Sequence, residues 1–119
     1  MHRPSEPPEG FPPALRVRAR RDYKHGYEAG KKRHGRFVVV FSLPNGTADG
    51  RLGVTATRKL GGAVERNLLK RRVREIFRRS PARACGRDVV VNLKKEAAQA
   101  GFAALREDLL KLLPSEAAR

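Results

Sequence analysis

The chain carries two kinds of hydrophobic pattern, short runs of strand character and longer stretches at helical spacing, and their order predicts the architecture. "RFVVVFSL" (36–43) is β-branched and aromatic, which favours a strand. The turn-rich "PNGTADG" follows it, so a hairpin-type connection is expected, with "RLGVTAT" (51–57) as the returning strand. There Leu52, Val54 and Ala56 alternate with Arg51, Gly53, Thr55 and Thr57, giving one apolar and one polar face. Gly53 inside this pattern points to a bulge or a close backbone approach. "RDVVVNL" (87–93) reads as a further, buried strand.

Helical spacing appears in three places. Tyr23 and Tyr27 stand four apart within residues 14–30, sharing one face if that segment is helical. A second helix is expected from about residue 62 to 79, ended by Ser80 and Pro81. In a third, Phe102, Leu105, Leu109, Leu112 and Leu113 form one stripe, with Gly101 at its start and Pro114 closing it. The resulting order, helix, strand, strand, helix, strand, helix, predicts an α+β fold with helices layered on a small sheet.

The second helix has two faces. Taking Leu69 as zero and about 100° per residue, Val73, Ile76 and Phe77 fall within about 80° of it, while Asn67, Lys70, Arg71, Arg74 and Arg78 lie between about 100° and 200°. The apolar arc should face the sheet. A solvated helix would balance its charges, with Glu75 pairing Arg71 and Arg79 at i±4. Two carboxylates, Glu65 and Glu75, cannot neutralise Arg66, Lys70, Arg71, Arg72, Arg74, Arg78 and Arg79. Like charges four apart repel, and a phosphate backbone converts that repulsion into affinity. Asn67 adds a donor and an acceptor suited to sugar hydroxyls or base edges. Arg58 and Lys59 precede the helix on a glycine-containing loop, where exposed N–H groups favour anions.

Composition extends this picture to the whole chain. Lys and Arg total 27 against 12 Asp and Glu in 119 residues, a formal charge of +15, which calls for a polyanionic partner. No stretch of uncharged apolar residues is long enough for a membrane span, and the N-terminus has no apolar signal region. A single cysteine, Cys85, excludes an internal disulfide. With His2, His25 and His34 it forms no recognisable metal-ligand spacing, so a reducing, cytoplasmic setting without a protein-bound metal is expected. His25 and His34 sit among cations with no carboxylate to orient a general base, and no partner marks Cys85 as a nucleophile, although Arg83 and Arg87 beside it would favour a thiolate. Five of the eight prolines fall in residues 1–13, which should form a disordered or extended tail. A single domain is then expected over 14–114, with a short tail at 115–119.

"TRKLGGAVERNLLKRRVREIFRR" resembles the signature of the bacterial ribonuclease P protein family, an Arg-Asn pair followed by Lys-Arg and Arg-Glu, matched by Arg66-Asn67, Lys70-Arg71 and Arg74-Glu75. "RDYKHGYEAG" looks like the family's first helix, and the three strand-like runs look like its sheet, so the resemblance covers about residues 15–113. It implies a two-layer α/β sandwich with a small, mostly antiparallel four-stranded sheet and three helices. Like the second domain of ribosomal small-subunit protein uS-five, this fold carries a left-handed βαβ crossover, against the usual right-handed rule.

The resemblance also implies a function: 5′ maturation of tRNA by endonucleolytic cleavage. In that family a catalytic RNA subunit uses magnesium ions, and one protein per RNA helps to bind that RNA and the precursor tRNA. By the same resemblance Arg58, Lys59, Arg66, Asn67, Lys70, Arg71, Arg74 and Arg78 would contact the RNA subunit. Tyr23 and Tyr27, where the family usually has phenylalanine, would hold the single-stranded 5′ leader with Arg20 and Lys24 beside them, aromatic faces stacking bases without strong sequence choice. Core tyrosines at helical spacing are the competing reading of that pair. Leu68 stands where many members carry a basic residue. A non-enzymatic ribosomal-type or RNA-chaperone module would use the same charge and fold. A cationic membrane-surface protein would need the apolar arc of the second helix to be free.

Overall fold

The computed structural model describes Val17 and residues 20–114, the side chains of 20–22 excepted. The expected tails at 1–13 and 115–119 lie outside the described residues. Helix α1 spans Arg20–Ala29, followed by strands β1 (Lys31–His34), β2 (Val38–Pro44) and β3 (Arg51–Thr55). Helix α2 (Ala63–Arg78), strand β4 (Arg87–Leu93) and helix α3 (Phe102–Leu112) complete the order, with short 3-10 turns at Arg58–Leu60, Pro81–Ala84 and Lys95–Gln99. The architecture is the expected α+β one, three helices on a four-stranded mixed sheet.

Strand order is β1-β2-β4-β3, antiparallel between β1 and β2 and between β2 and β4, parallel between β4 and β3. This corrects the hairpin expected between β2 and β3: β4 lies between them. The physical reason is that β4 is apolar on both faces, with Val89, Val90 and Val91 fully buried, and such a strand takes a central place. The loop before β3 is bound to β4 and the segment leading into it. Asn45 N–H donates to the Gly86 carbonyl (3.0 Å), Gly50 N–H to that of Arg83 (2.7 Å), and Arg51 grips the Asp88 carboxylate with two hydrogen bonds (2.7 and 2.6 Å). Helix α2 therefore links two parallel neighbours, β3 and β4.

The actual hairpin joins β1 to β2, and β1 is absent from the sequence reading because "KKRH" has no apolar residue and is exposed throughout. It forms because its partner is well specified and because Asp108 of α3 accepts hydrogen bonds from the Arg36 and Phe37 N–H groups of the turn, both at 2.8 Å. An exposed, cationic edge also discourages pairing with another chain.

The core lies on one face of the sheet. Val38, Val40, Leu52, Val54, Val89, Val91 and Leu93 meet Leu69, Val73, Ile76 and Phe77 of α2 and Leu105 and Leu109 of α3. These α2 residues are the apolar arc expected from the wheel, so that face is committed to the sheet. Phe102 departs from expectation: it is 41% exposed at the first turn of α3, at a groove it shares with Ile76, Arg79 and Leu110. Beyond the two core layers, α1 lies on the opposite face, where Gly26 lets it approach Val90 and Leu43.

Candidate nucleic-acid interface

Alternation along β2, β3 and β4 gives that opposite face its chemistry. Phe41 and Val90 supply an apolar floor under α1, and Thr55 and Asn92, cross-strand partners on β3 and β4, supply a polar end. Tyr27 packs edge-on against Phe41 (ring centroids 4.9 Å apart), and its hydroxyl donates to Asn92 Oδ1 at 2.9 Å. The same oxygen accepts from Thr55 Oγ1 at 2.6 Å. Tyr27 is therefore held by its phenolic end, which a phenylalanine lacks, while 39% of the residue stays exposed. Lys32 Nζ sits 5.7 Å from the centre of the Phe41 ring, close enough for a cation–π contact.

One helical turn earlier, Tyr23 lies against β3. A Cβ on Gly53 would come within 2.8 Å of the Tyr23 ring and hydroxyl, so the glycine anticipated as a close approach is what admits the ring. Tyr23, Gly53, Leu52, Val54, Val17, Lys70 and Arg74 line one open cleft of ≈ 270 Å³. Partial burial raises the Tyr23 phenol above its usual range, with Tyr27 adding to the rise, while a Val54 backbone hydrogen bond and the Arg74 charge oppose it. The phenol is thus a neutral donor at physiological pH. Lys24 is exposed on α1, and the side chain of Arg20, in the first turn of that helix, lies outside the described residues.

The cationic residues of α2 divide into groups. Asn67 and Arg71 are exposed, and Lys70 and Arg74 reach the Tyr23 cleft, which joins the helix stripe to the aromatic pair. Arg58 and Lys59 are exposed on the turn before the helix, anchored by buried Leu60. Arg78 is placed differently: its guanidinium pairs with Glu75 (2.7 Å), its side chain only 15% exposed. Glu75 also pairs with Arg79, one of its two expected i±4 partners, while Arg78 takes the place of the other, Arg71. Both arginines hold the Glu75 carboxyl below its usual range. Arg66 sits about 60° round the helix from Leu69, on the apolar side, and is half-buried with its Nε enclosed and without a hydrogen-bond partner. Such a group calls for a partner supplied from outside.

Sequence reasoning missed Asn92, Thr55, Phe41 and Lys32. The outward positions of the alternation in "RLGVTAT" and "RDVVVNL" contain the first two, but nothing local shows that α1 covers that face. Cys85, expected to have its thiol favoured towards thiolate by neighbouring arginines, is buried, and desolvation raises its pKa against the weaker pull of Arg87. Among the described residues, no three His, Cys, Asp or Glu side chains come together as a metal site, and no helix is long and apolar enough to cross a membrane.

A basic helix, Tyr23 of the aromatic pair and the parallel β3–α2–β4 unit thus meet at one cleft, and comparison with known proteins supplies the family. The family model described as Ribonuclease P matches residues 11–115. The chain belongs to the ribonuclease P protein family. A ribonuclease P protein component from Thermotoga petrophila is 41% identical over 110 residues, covering 88% of this chain and 94% of that one. The solved ribonuclease P protein from Thermotoga maritima is 40% identical with a TM-score of 0.74, covering 82% of this chain and 94% of that one. A Staphylococcus aureus ribonuclease P protein superposes with a TM-score of 0.74 at 28% identity, covering 83% and 91% of the two chains. A ribonuclease P subunit role, and with it a place in tRNA processing as part of a ribonucleoprotein, follows for this chain.

Proposed function

We propose that this protein binds the ribonuclease P RNA through α2 and the preceding turn, and the 5′ leader of precursor tRNA through the cleft between α1 and the sheet. The observation that carries the proposal is the continuity of these surfaces: Lys70 and Arg74 belong to the α2 stripe and also line the cleft beside Tyr23 and Gly53. Arg58, Lys59, Asn67 and Arg71 extend the surface along the helix, and Arg66 offers its enclosed Nε to a phosphate or sugar oxygen. Arg78, paired with Glu75, shapes the end of the stripe.

In the cleft, Tyr23 and Tyr27 present ring surface to unpaired bases, with Lys24 near and Arg20 on the same helix. Base–aromatic stacking contributes about 1–3 kcal/mol per base and tolerates any sequence. The chemistry belongs to the RNA. The polar side chains lining the cleft, Tyr23, Lys70 and Arg74, are a hydroxyl, an ammonium and a guanidinium, which do not fit a magnesium shell of carboxylates and waters, and the proposal assigns Mg²⁺ to the RNA subunit. The protein acts as a cytoplasmic accessory subunit, one per RNA, by positioning substrate.

The test is precursor-tRNA cleavage by the cognate RNA at low magnesium, with and without this protein. Stimulation of cleavage, and tighter binding of leader-bearing than of mature tRNA, is the expected result. No stimulation would leave a non-enzymatic RNA-binding module in its place. Binding to the RNA should also weaken with salt: about six neutralised phosphates give a log–log slope near −4.

A further inference from the structure

A second cationic hollow lies away from the cleft, on the helical face of the sheet at the β1 edge. Helix α3 ends there, and Lys31, Arg33, Ser42, Arg87, Leu112, Leu113 and Pro114 enclose ≈ 210 Å³. Cross-strand register explains the gathering. Lys31 pairs with Ser42 and Arg33 with Val40, while Arg87 pairs with Pro44, so all three cations project to the side that carries Val40 and Val89, beyond the last turn of α3. At about 30 Å³ per water the space holds a tetrahedral oxyanion with waters around it.

Three features mark this hollow as built for an anion. Arg87 Nε is enclosed and has no hydrogen-bond partner, a cost that an anion would relieve. The Ser42 residue is buried at the bottom, 8% exposed, with a hydroxyl able to donate. Among the described residues no carboxylate lines the hollow, and the nearby described acids are engaged elsewhere: Asp108 accepts from the turn N–H groups and Asp88 holds Arg51. Arg33 donates to the Leu112 carbonyl at 3.5 Å, which engages one N–H and orients the guanidinium at the rim.

We infer that this hollow binds a backbone phosphate of RNA, at a site separate from the α2 stripe and the leader cleft. With sheet order β1-β2-β4-β3, it sits at the edge opposite β3, in a molecule 37 × 36 × 27 Å across. The cleft opens on the other face, so a different stretch of backbone occupies the hollow. The inference rests on the proposed RNA-binding role, and the phosphate comes from either the RNA subunit or the precursor tRNA.

The test uses the full chain and its Lys31→Gln/Arg33→Gln variant, both positions being exposed. Inorganic phosphate should shift the amide resonances of Ser42, Arg87 and Leu113 saturably in the parent and not in the variant. For the RNA that supplies the phosphate, losing that one contact should reduce the log–log salt slope by about 0.7, and Lys31→Arg/Arg33→Lys should restore it. A reduced slope with the ribonuclease P RNA assigns the phosphate to that subunit. A reduced slope seen only when the reconstituted complex binds precursor tRNA assigns it to the substrate. Unchanged slopes in both titrations overturn the site, and a lowered Tm with unchanged slopes assigns the cations to capping α3 instead. An Arg58→Ala/Arg71→Ala variant run in parallel separates the two ideas. Loss of affinity there alone, for the RNA subunit and for precursor tRNA alike, overturns the hollow, whereas loss only in the Lys31/Arg33 variant overturns the α2 assignment and keeps the hollow.

Discussion

Replacing Gly53 by alanine tests how Tyr23 is seated. The new methyl would lie 2.8 Å from the Tyr23 ring, where ordinary contact begins at 3.4 Å, so the ring must retreat by about 0.6 Å, enough to forfeit a good part of its dispersion contacts. Gly53 has no positive φ, so its backbone accepts alanine, which in a strand gains about 0.5–1 kcal/mol. Overpacking costs about 1–3 kcal/mol, and the net expectation is a loss of about 0.5–2 kcal/mol in urea unfolding. The larger effect should be functional. Displacing one stacking ring removes up to about 1–3 kcal/mol of leader affinity, roughly a five- to 150-fold loss of preference for precursor over mature tRNA. Combined with Tyr23→Ala, the same substitution should become neutral or stabilising, because its clash partner is gone. An unchanged leader preference, or an equal stability cost in the Tyr23→Ala background, would refute the reasoning.

Other substitutions probe other contacts. Asp108→Ala leaves the Arg36 and Phe37 N–H groups without their acceptor and should cost about 1–3 kcal/mol, measured by denaturant unfolding; a change within error would mean water replaces the carboxylate freely. Cys85, buried with its thiol pKa raised, should react with a disulfide reagent at mildly alkaline pH only after unfolding, and rapid reaction of the native protein would contradict its burial. The raised Tyr23 phenol favours the protonated form in the folded state, so its contribution is complete below the unfolded pKa near 10 and declines as pH rises through the folded value. Stability should therefore fall more steeply above pH 10 in the parent than in Tyr23→Phe, and identical profiles would remove that coupling.

Much of the site was legible because its signals are periodic and local. The apolar arc of α2 appears in the structure as Leu69, Val73, Ile76 and Phe77 against the sheet, since a rigid 3.6-residue repeat fixes which side chains can be buried together. Asn67, Lys70 and Arg71 follow on the other side for the same reason. Arg78 and Arg66 show the limit of the wheel: an angle does not reveal that Glu75 claims one guanidinium or that the Nε of the other is enclosed without a partner. Gly53 was readable as a close approach, but not the identity of the ring that approaches it.

By itself the sequence determined the helix faces, the apolar character of β2 and β4, and the excess of positive charge, all consequences of residue type at fixed spacing. Tertiary structure alone decided that β4 separates β2 from β3, because the competition for the central position is settled by burial on both faces at once. It also decided that the wholly polar β1 is a strand, since its hydrogen bonds come from β2 and its turn is held by Asp108, some seventy residues away. Packing of α1 across the sheet brings Tyr27 to Asn92 and Tyr23 to Lys70 and Arg74, contacts between segments whose separation along the chain leaves no periodic trace.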